Sequence, residues 1–130
     1  MILNLTQHLA TSEQLAAGVV DLPEDKRAAL TRALTVTTLP DRESIEARCD
    51  YIAELACQNG LGGDDEDDPH PRMAMIGGAP WLMSTLEQAL TERGITPLYA
   101  FSVRESTERI LPNGTVQKIN VFKHAGFVKI

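Results

Sequence analysis

The sequence contains little cysteine, few aromatic residues and no long apolar run. Its 130 residues include 2 Cys, 1 Trp, 2 Tyr and 3 Phe. No apolar run approaches the ~18 residues that a membrane-spanning helix needs, so we expect no membrane partner. Residues 1–5 lack the basic start and the long apolar core of a signal peptide. These absences predict a cytoplasmic protein.

The two cysteines are unsuited to a disulfide or a zinc site. Cys49 and Cys57 fall on one predicted helix, about 12 Å apart along its axis. A disulfide requires Cα atoms within ~7 Å, so these two thiols cannot bond to each other, and free thiols fit a reducing compartment. Two Cys and 3 scattered His provide no ligand pair at structural zinc spacing. We expect no metal site and no cofactor.

Positive charge is scarce and unevenly placed. The chain has 12 Lys and Arg against 18 Asp and Glu, a net charge of −6. Residues 1–92 carry 6 basic and 16 acidic residues, whereas residues 93–130 carry 6 basic and 2 acidic residues. Proteins that coat duplex nucleic acid are usually basic overall, so that partner is not expected. The basic final third could hold a small anion, or its cations could be solvated side chains on strands.

The length of the chain suits one domain, residues 1–130. Helix and strand patterns alternate along this domain. The first helix opens with a capping box at Thr11 and Gln14, and Pro80 is placed for the first turn of the last helix. Strands are predicted over residues 2–6, 19–22, 73–76 and 97–102, with helices over 12–18, 23–34, 41–60 and 80–94. This alternation predicts an α/β fold, a small Rossmann-like parallel sheet flanked by helices.

The last quarter predicts a C-terminal antiparallel β-hairpin over residues 105–122. Pro112 cannot adopt the positive φ of a type I′ loop, which favours a type I turn with Gly114 in the left-handed bulge position. That turn places Glu108 opposite Lys118, and Ile110 opposite Val116. Residues 61–71 include five adjacent carboxylates and two prolines, so a mobile acidic loop is predicted there.

Three segments are expected at the carboxyl ends of the parallel strands, where open α/β sheets bind ligands. They are Thr6-Gln7-His8, Gly77-Gly78-Ala79-Pro80 and the stretch from Ser102 through Arg104 to Ser106. The glycine amides at a helix N-terminus could bind a phosphate, or the glycines could simply form a tight turn. Trp81, beside the glycines, could stack on a base or pack in the core.

Two charged or titratable residues of these segments have both a functional and a structural interpretation. Arg104 could clamp a phosphate or carboxylate, or it could pair with Glu105 or Glu108. His8 could act as a general acid–base group, or it could hold the chain by a structural hydrogen bond.

The sequence resembles the small stand-alone CRISPR-associated proteins of CARF-like (CRISPR-associated Rossmann fold) type, some of which are ring nucleases. The resemblance consists of several short segments spread over nearly the whole chain. They are a first strand leading into Gln7-His8 and Thr11-Ser12-Glu13-Gln14, a glycine-containing strand–helix turn, Gly94-Ile95-Thr96-Pro97-Leu98-Tyr99-Ala100 leading to Ser102 and Arg104, and a hairpin that closes on Val121-Phe122-Lys123-His124 and Phe127.

The resemblance implies binding of a cyclic oligoadenylate second messenger on a two-fold homodimer. It also implies slow, metal-independent cleavage, in which the adenosine 2′-hydroxyl attacks the adjacent phosphorus in antiviral defence. Arg104 and the Gly77-Gly78 amides would stabilise the oxyanion, while His8, Ser102 or Thr6 would orient or deprotonate the hydroxyl. The alternative is a non-catalytic Rossmann-like module that senses another small anionic nucleotide or binds a partner protein. A small structural protein of a phage or mobile element is a third option.

Overall fold

A computed structural model describes residues 1–61 and 72–130. Within these residues, five strands form one sheet and four α-helices connect the strands. The strands are β1 Ile2–Asn4, β2 Val19–Asp21, β3 Met73–Met75, β4 Thr96–Ile110 and β5 Val116–Lys129. The helices are α1 Ser12–Ala16, α2 Glu24–Leu34, α3 Arg42–Ala56 and α4 Pro80–Glu92.

The sheet has the order β2-β1-β3-β4-β5, and its first four strands run parallel. Strand β5 pairs antiparallel with β4, which confirms the predicted α/β fold with a C-terminal hairpin. The register joins Ile2 to Val19 on one side of β1 and to Met73 on the other. Because β2 and β3 lie on opposite sides of β1, the direction in which the chain adds strands reverses at β1.

The main core lies between one face of the sheet and helices α2, α3 and α4. Helix α4 contributes one apolar stripe at helical spacing, and Ile52 of α3 is fully buried in the same core. Burying one such side chain stabilises the fold by ~1.5–3 kcal/mol. The stripe consists of Leu82, Leu86, Ala89 and Leu90.

The helix starts follow the sequence prediction. The Thr11 side chain accepts a hydrogen bond from the Gln14 amide, and the Gln14 side chain returns one to the Thr11 amide. At α3, the Asp41 carboxylate accepts from the Ser44 amide at 2.8 Å. These caps bind amides that a first helical turn leaves without partners. Because each cap joins residues that are close in the chain, helix starts of this kind can be predicted from the local sequence.

Helix α3 is followed by a turn, Cys57–Leu61, that departs from helical geometry at Gly60, whose φ is 105°. Leu61 is buried in the main core, although the predicted acidic loop began at this residue. The rest of that predicted loop, residues 62–71, lies outside the described residues.

The hairpin is much longer than the predicted 105–122. Strand β4 does not end at Ser102 but continues to Ile110, with a register shift between Phe101 and Ser102. The predicted turn register is confirmed, because Glu108 lies opposite Lys118. Strand β3 pairs with β4 at Thr96, Pro97 and Leu98, so the paired residues 101–126 extend past the end of β3. We call residues 101–126 the arm.

Candidate functional site

A cleft of about 490 Å³ lies at the carboxyl ends of β1 and β3, beside the point where the strand order reverses. Open α/β sheets bind ligands at this position because the connections after adjacent strands diverge and leave a crevice. The lining residues come from the segment after β1, the start of α1, the end of β3 with the turn that follows it, and the first part of β4. They are Thr6, Gln7, His8, Leu9, Thr11, Gln14, Met75, Ile76, Gly77, Gly78, Tyr99 and Ala100.

Buried Asn4, the last residue of β1, fixes the segment that forms one wall of the cleft. Its side-chain amide donates to the His8 carbonyl at 2.8 Å and to Asp21 Oδ1 at 2.8 Å. Its Oδ1 accepts from the Thr6 amide at 2.9 Å and from the Thr6 hydroxyl at 2.7 Å. Both amide protons and two lone pairs of Asn4 are therefore used, which is why this polar side chain can be buried.

The Thr6 hydroxyl is held in place by two neighbouring oxygen atoms. It lies 2.7 Å from Asn4 Oδ1 and 3.1 Å from the His8 carbonyl. A hydroxyl has one proton, so it donates to one of these oxygens at a time and keeps lone pairs to accept from a ligand. The exposed His8 side chain lies two residues further along the same wall.

The opposite wall is the glycine turn between β3 and α4. A Cβ on Gly78, whose φ is 155°, would lie 3.3 Å from the Met83 methyl, so glycine suits this close approach. Among the described residues, neither Gly77 nor Gly78 donates its amide to a backbone carbonyl. Helix α4 begins directly behind them with Pro80 in its first turn. Amides at the positive end of a 13-residue helix favour an anionic ligand.

Tyr99 closes the third side of the cleft. Its hydroxyl donates to Glu87 Oε2 of α4 at 3.1 Å. Burial, followed by the hydrogen bond and the negative charge of Glu87, raises the pKa of Tyr99 to about 12. Tyr99 is therefore a neutral phenol at physiological pH, available to a ligand as a ring surface rather than as a base.

Five of the nine residues predicted for the site line the cleft together: Thr6, Gln7, His8, Gly77 and Gly78. The remaining four lie elsewhere. Trp81 lines a separate groove with Leu39 and Ile45. Ser102, Arg104 and Ser106 lie on exposed strand of the arm, with Arg104 about 14 Å beyond Ala100 at ~3.4 Å per residue.

Sequence reasoning missed Tyr99 as a lining residue and Asn4 as the residue that positions one wall of the cleft. Asn4 is a polar residue inside an apolar strand, and that contrast was a usable signal. Tyr99 lies in a strand whose predicted end came too early in the chain. The position of Tyr99 at the edge of the cleft could therefore not be recognised. Thr11 and Gln14 were recognised as a helix cap, and the structure adds that they line the cleft.

The described lining of the cleft lacks the side chains that carry permanent charge. Among its described lining residues none is Lys, Arg, Asp or Glu. No group of three His, Cys, Asp or Glu side chains that could hold a metal ion occurs within residues 1–61 and 72–130. No helix in this part of the chain is long and apolar enough to cross a membrane. The polar groups that this described lining offers a ligand are amides, hydroxyls, one imidazole and one phenol, beside the apolar side chains of Leu9, Met75 and Ile76.

Searches of the curated proteins and of the solved structures return no match to this chain. A family model, by contrast, matches almost the whole length, residues 1–128. The chain belongs to the family described as Uncharacterized protein MJ1673 family.

Proposed function

We propose that the protein binds a small anionic nucleotide in the cleft, and that this ligand is a cyclic oligoadenylate of CRISPR antiviral defence. The observation that carries the proposal is the convergence of Thr6, His8 and the Gly77-Gly78 amides at the reversal point of the sheet. The free thiols of Cys49 and Cys57 agree with a cytoplasmic location, which forms part of the proposal.

The cleft provides a site for each part of a nucleotide. The Gly77 and Gly78 amides, backed by the N-terminus of α4, suit a phosphate. The Tyr99 ring offers a flat surface for a base, and the Thr6 hydroxyl can contact a ribose oxygen. Arg104 is not part of this binding group, since it lies on the arm.

The proposed reaction is opening of the ring by the ligand's own 2′-hydroxyl. Its oxygen forms a bond to the adjacent phosphorus, and the bond from phosphorus to the 5′-oxygen breaks. The His8 imidazole takes the proton of the 2′-hydroxyl, and water protonates the leaving 5′-oxygen, which gives a 2′,3′-cyclic phosphate and a 5′-hydroxyl. The glycine amides stabilise charge on the phosphoryl oxygens. The residues contribute position and charge stabilisation, so slow turnover is expected.

The second candidate is a sensor that binds the nucleotide without cleaving it. The absence of Lys and Arg among the described lining residues favours it, because phosphoryl transfer is usually assisted by a cation near the developing charge.

Calorimetry with cyclic tetra-adenylate in EDTA, followed by chromatography of the products, tests the proposal. We expect binding, and at least a tenfold loss of affinity in Gly77→Ala, whose added methyl has ordinary contact with Thr6 at 3.5 Å and should leave the fold intact. His8→Ala should retain binding and lose cleavage. Arg109→Ala, on the arm, is the matched control and should behave as the wild type.

Absence of binding to any cyclic oligoadenylate would remove the proposal. Binding without products in the wild-type protein would instead establish the sensor.

A further inference from the structure

The arm is a two-stranded ribbon that continues beyond the parallel part of the sheet. From Phe101 to Ile110 every residue of β4 is exposed. In the part of the chain that the structure describes, β5 is the strand that pairs with β4 in this region. A two-stranded ribbon is only marginally stable in water by itself, because it has no third strand or helix to cover its apolar side chains. A packing partner for the arm is therefore expected.

One face of the arm carries its most exposed apolar side chains. Directly paired residues share a face, and alternate residues along a strand lie on opposite faces. Ile110 is 76% exposed and Phe122 is 74% exposed, whereas Val103 and Val121 on the other face are 45% and 41% exposed. We call this the Phe122 face; its pairs are Ser102–His124, Arg104–Phe122, Ser106–Asn120, Glu108–Lys118 and Ile110–Val116.

The Phe122 face is complementary to itself. The pair Arg104–Phe122 and the pair Glu108–Lys118 lie at equal distances on either side of Ser106–Asn120. If two such faces are stacked about a two-fold axis through Ser106–Asn120, with β4 antiparallel to the partner's β4, Arg104 lies over the partner's Glu108. In the same arrangement Phe122 lies over the partner's Lys118, which gives a cation–π contact.

We propose that two copies of the chain form a two-fold dimer through their Phe122 faces. A two-fold axis repeats each contact, so the Arg104–Glu108 ion pair and the Phe122–Lys118 contact each form twice. A nucleic acid is a poorer occupant, because Glu108 lies directly opposite Lys118 and its carboxylate offsets one of the two cations of this face. The inference concerns the arm alone and is independent of a nucleotide in the cleft.

The dimer should be a weak one. From Ser102 to Ile110 the face spans about 27 Å along the strands, at ~3.4 Å per residue, and it is two strands wide. Such a face is smaller than the interfaces of permanent dimers. We therefore expect dissociation on dilution, with the mass falling towards the monomer value of 14.2 kDa.

A charge-reversal experiment tests the register. The Arg104→Glu chain has a carboxylate at both positions 104 and 108, and the Glu108→Arg chain has a guanidinium at both. Each variant alone should dimerise at least tenfold more weakly by sedimentation equilibrium without nucleotide, since like charges then face each other across the axis. An equal mixture should recover a heterodimer of wild-type strength, because every facing pair is then of opposite charge.

One check of the fold and two further variants keep the test decisive. Glu108→Arg faces Lys118 within its own chain, so circular dichroism must show that its hairpin is retained. Phe122→Ser leaves all charges in place and should weaken the dimer as well. Arg109→Glu, on the other face of the arm, is the matched control and should leave the mass unchanged.

Three outcomes would overturn the proposal. The first is a wild-type mass that stays at 14.2 kDa over the whole range of concentrations. The second is a dimer that Phe122→Ser and both charge reversals leave intact, which would assign the contact to another surface. The third is a mixture of the two charge variants that stays monomeric.

Discussion

Asn4 and Asp21 are paired neighbours in the parallel register of β1 and β2, and their side chains form a hydrogen bond of 2.8 Å. The same Asp21 oxygen accepts from the Ala10 amide at 3.1 Å, so the carboxylate holds the far end of the segment that follows β1. Asn4 holds the near end of that segment through Thr6 and the middle through His8. The wall of the cleft is thus fixed by two residues outside the cleft itself.

Replacement of Asn4 by alanine should destabilise the fold and loosen the cleft wall. It removes four hydrogen bonds and leaves buried or half-buried partners without donors or acceptors, so we expect a loss of at least about 2 kcal/mol in the free energy of unfolding. Urea denaturation measures the loss. Asp21→Asn is the matched control, because it keeps the accepting oxygen and should cost much less. An equal loss in the two variants would contradict this assignment.

Arg93 should stabilise the packing of α3 against the end of α4. Its Nε donates to Glu54 Oε1 at 3.0 Å, Nη1 donates to the Ala89 carbonyl at 2.9 Å, and Nη2 lies 3.5 Å from Asp50 Oδ1. The side chain is only 22% exposed, so these contacts are partly shielded from water. We expect Arg93→Ala to lower the free energy of unfolding by about 1–2 kcal/mol.

Arg42 provides the matched control for Arg93. It also pairs with a glutamate, Glu46, at 3.1 Å, but its side chain is 93% exposed. Exposed pairs of this kind contribute ~0.3–0.5 kcal/mol, so Arg42→Ala should be nearly neutral in the same urea experiment. Similar losses in the two variants would show that the shielding of Arg93 has no energetic effect.

Features that depend on neighbouring residues could be predicted from the sequence. Features that depend on how distant strands lie relative to one another could not. The turn at Pro112 and Gly114 determines the pairing of Glu108 with Lys118, because a hairpin's register follows from its loop. The position of Arg104 depends instead on where β3 stops relative to β4, a relation between segments about 20 residues apart. Reading Ser102 as a strand end therefore placed Arg104 at the cleft, whereas the structure places it on the arm.

The two thiols should react at very different rates. Cys49 is fully buried, its Sγ lies 3.6 Å from the Leu82 carbonyl, and burial followed by the charge of Asp50 raises its pKa to about 11. Cys57 is partly exposed. Because the thiolate is the reactive form, a maleimide should label one cysteine in the native protein at neutral pH and both after unfolding. Mass spectrometry of Cys57→Ser should show no rapid native labelling; rapid labelling of that variant would contradict the burial of Cys49.

Tyr99 should make stability fall at high pH. The phenol has a pKa near ~10 in an unfolded chain, whereas the folded protein raises the pKa of Tyr99 to about 12. Below pH ~10 both states keep the proton, so the contribution of Tyr99 is fully present. Above that pH the unfolded chain releases its proton while the folded chain retains it, so rising pH favours unfolding until Tyr99 itself ionises.

Comparison with Tyr99→Phe isolates this effect. The variant lacks the titrating group and the hydrogen bond to Glu87, so the difference in the free energy of unfolding between wild type and variant should be constant below pH ~10 and then shrink as pH rises. Tyr51 is present in both proteins, so its titration cancels from the difference. Urea denaturation at stepped pH measures both curves. A difference that stays constant throughout the alkaline range would show that Tyr99 titrates like an exposed tyrosine, and the Glu87 contact would then have no influence on its ionisation.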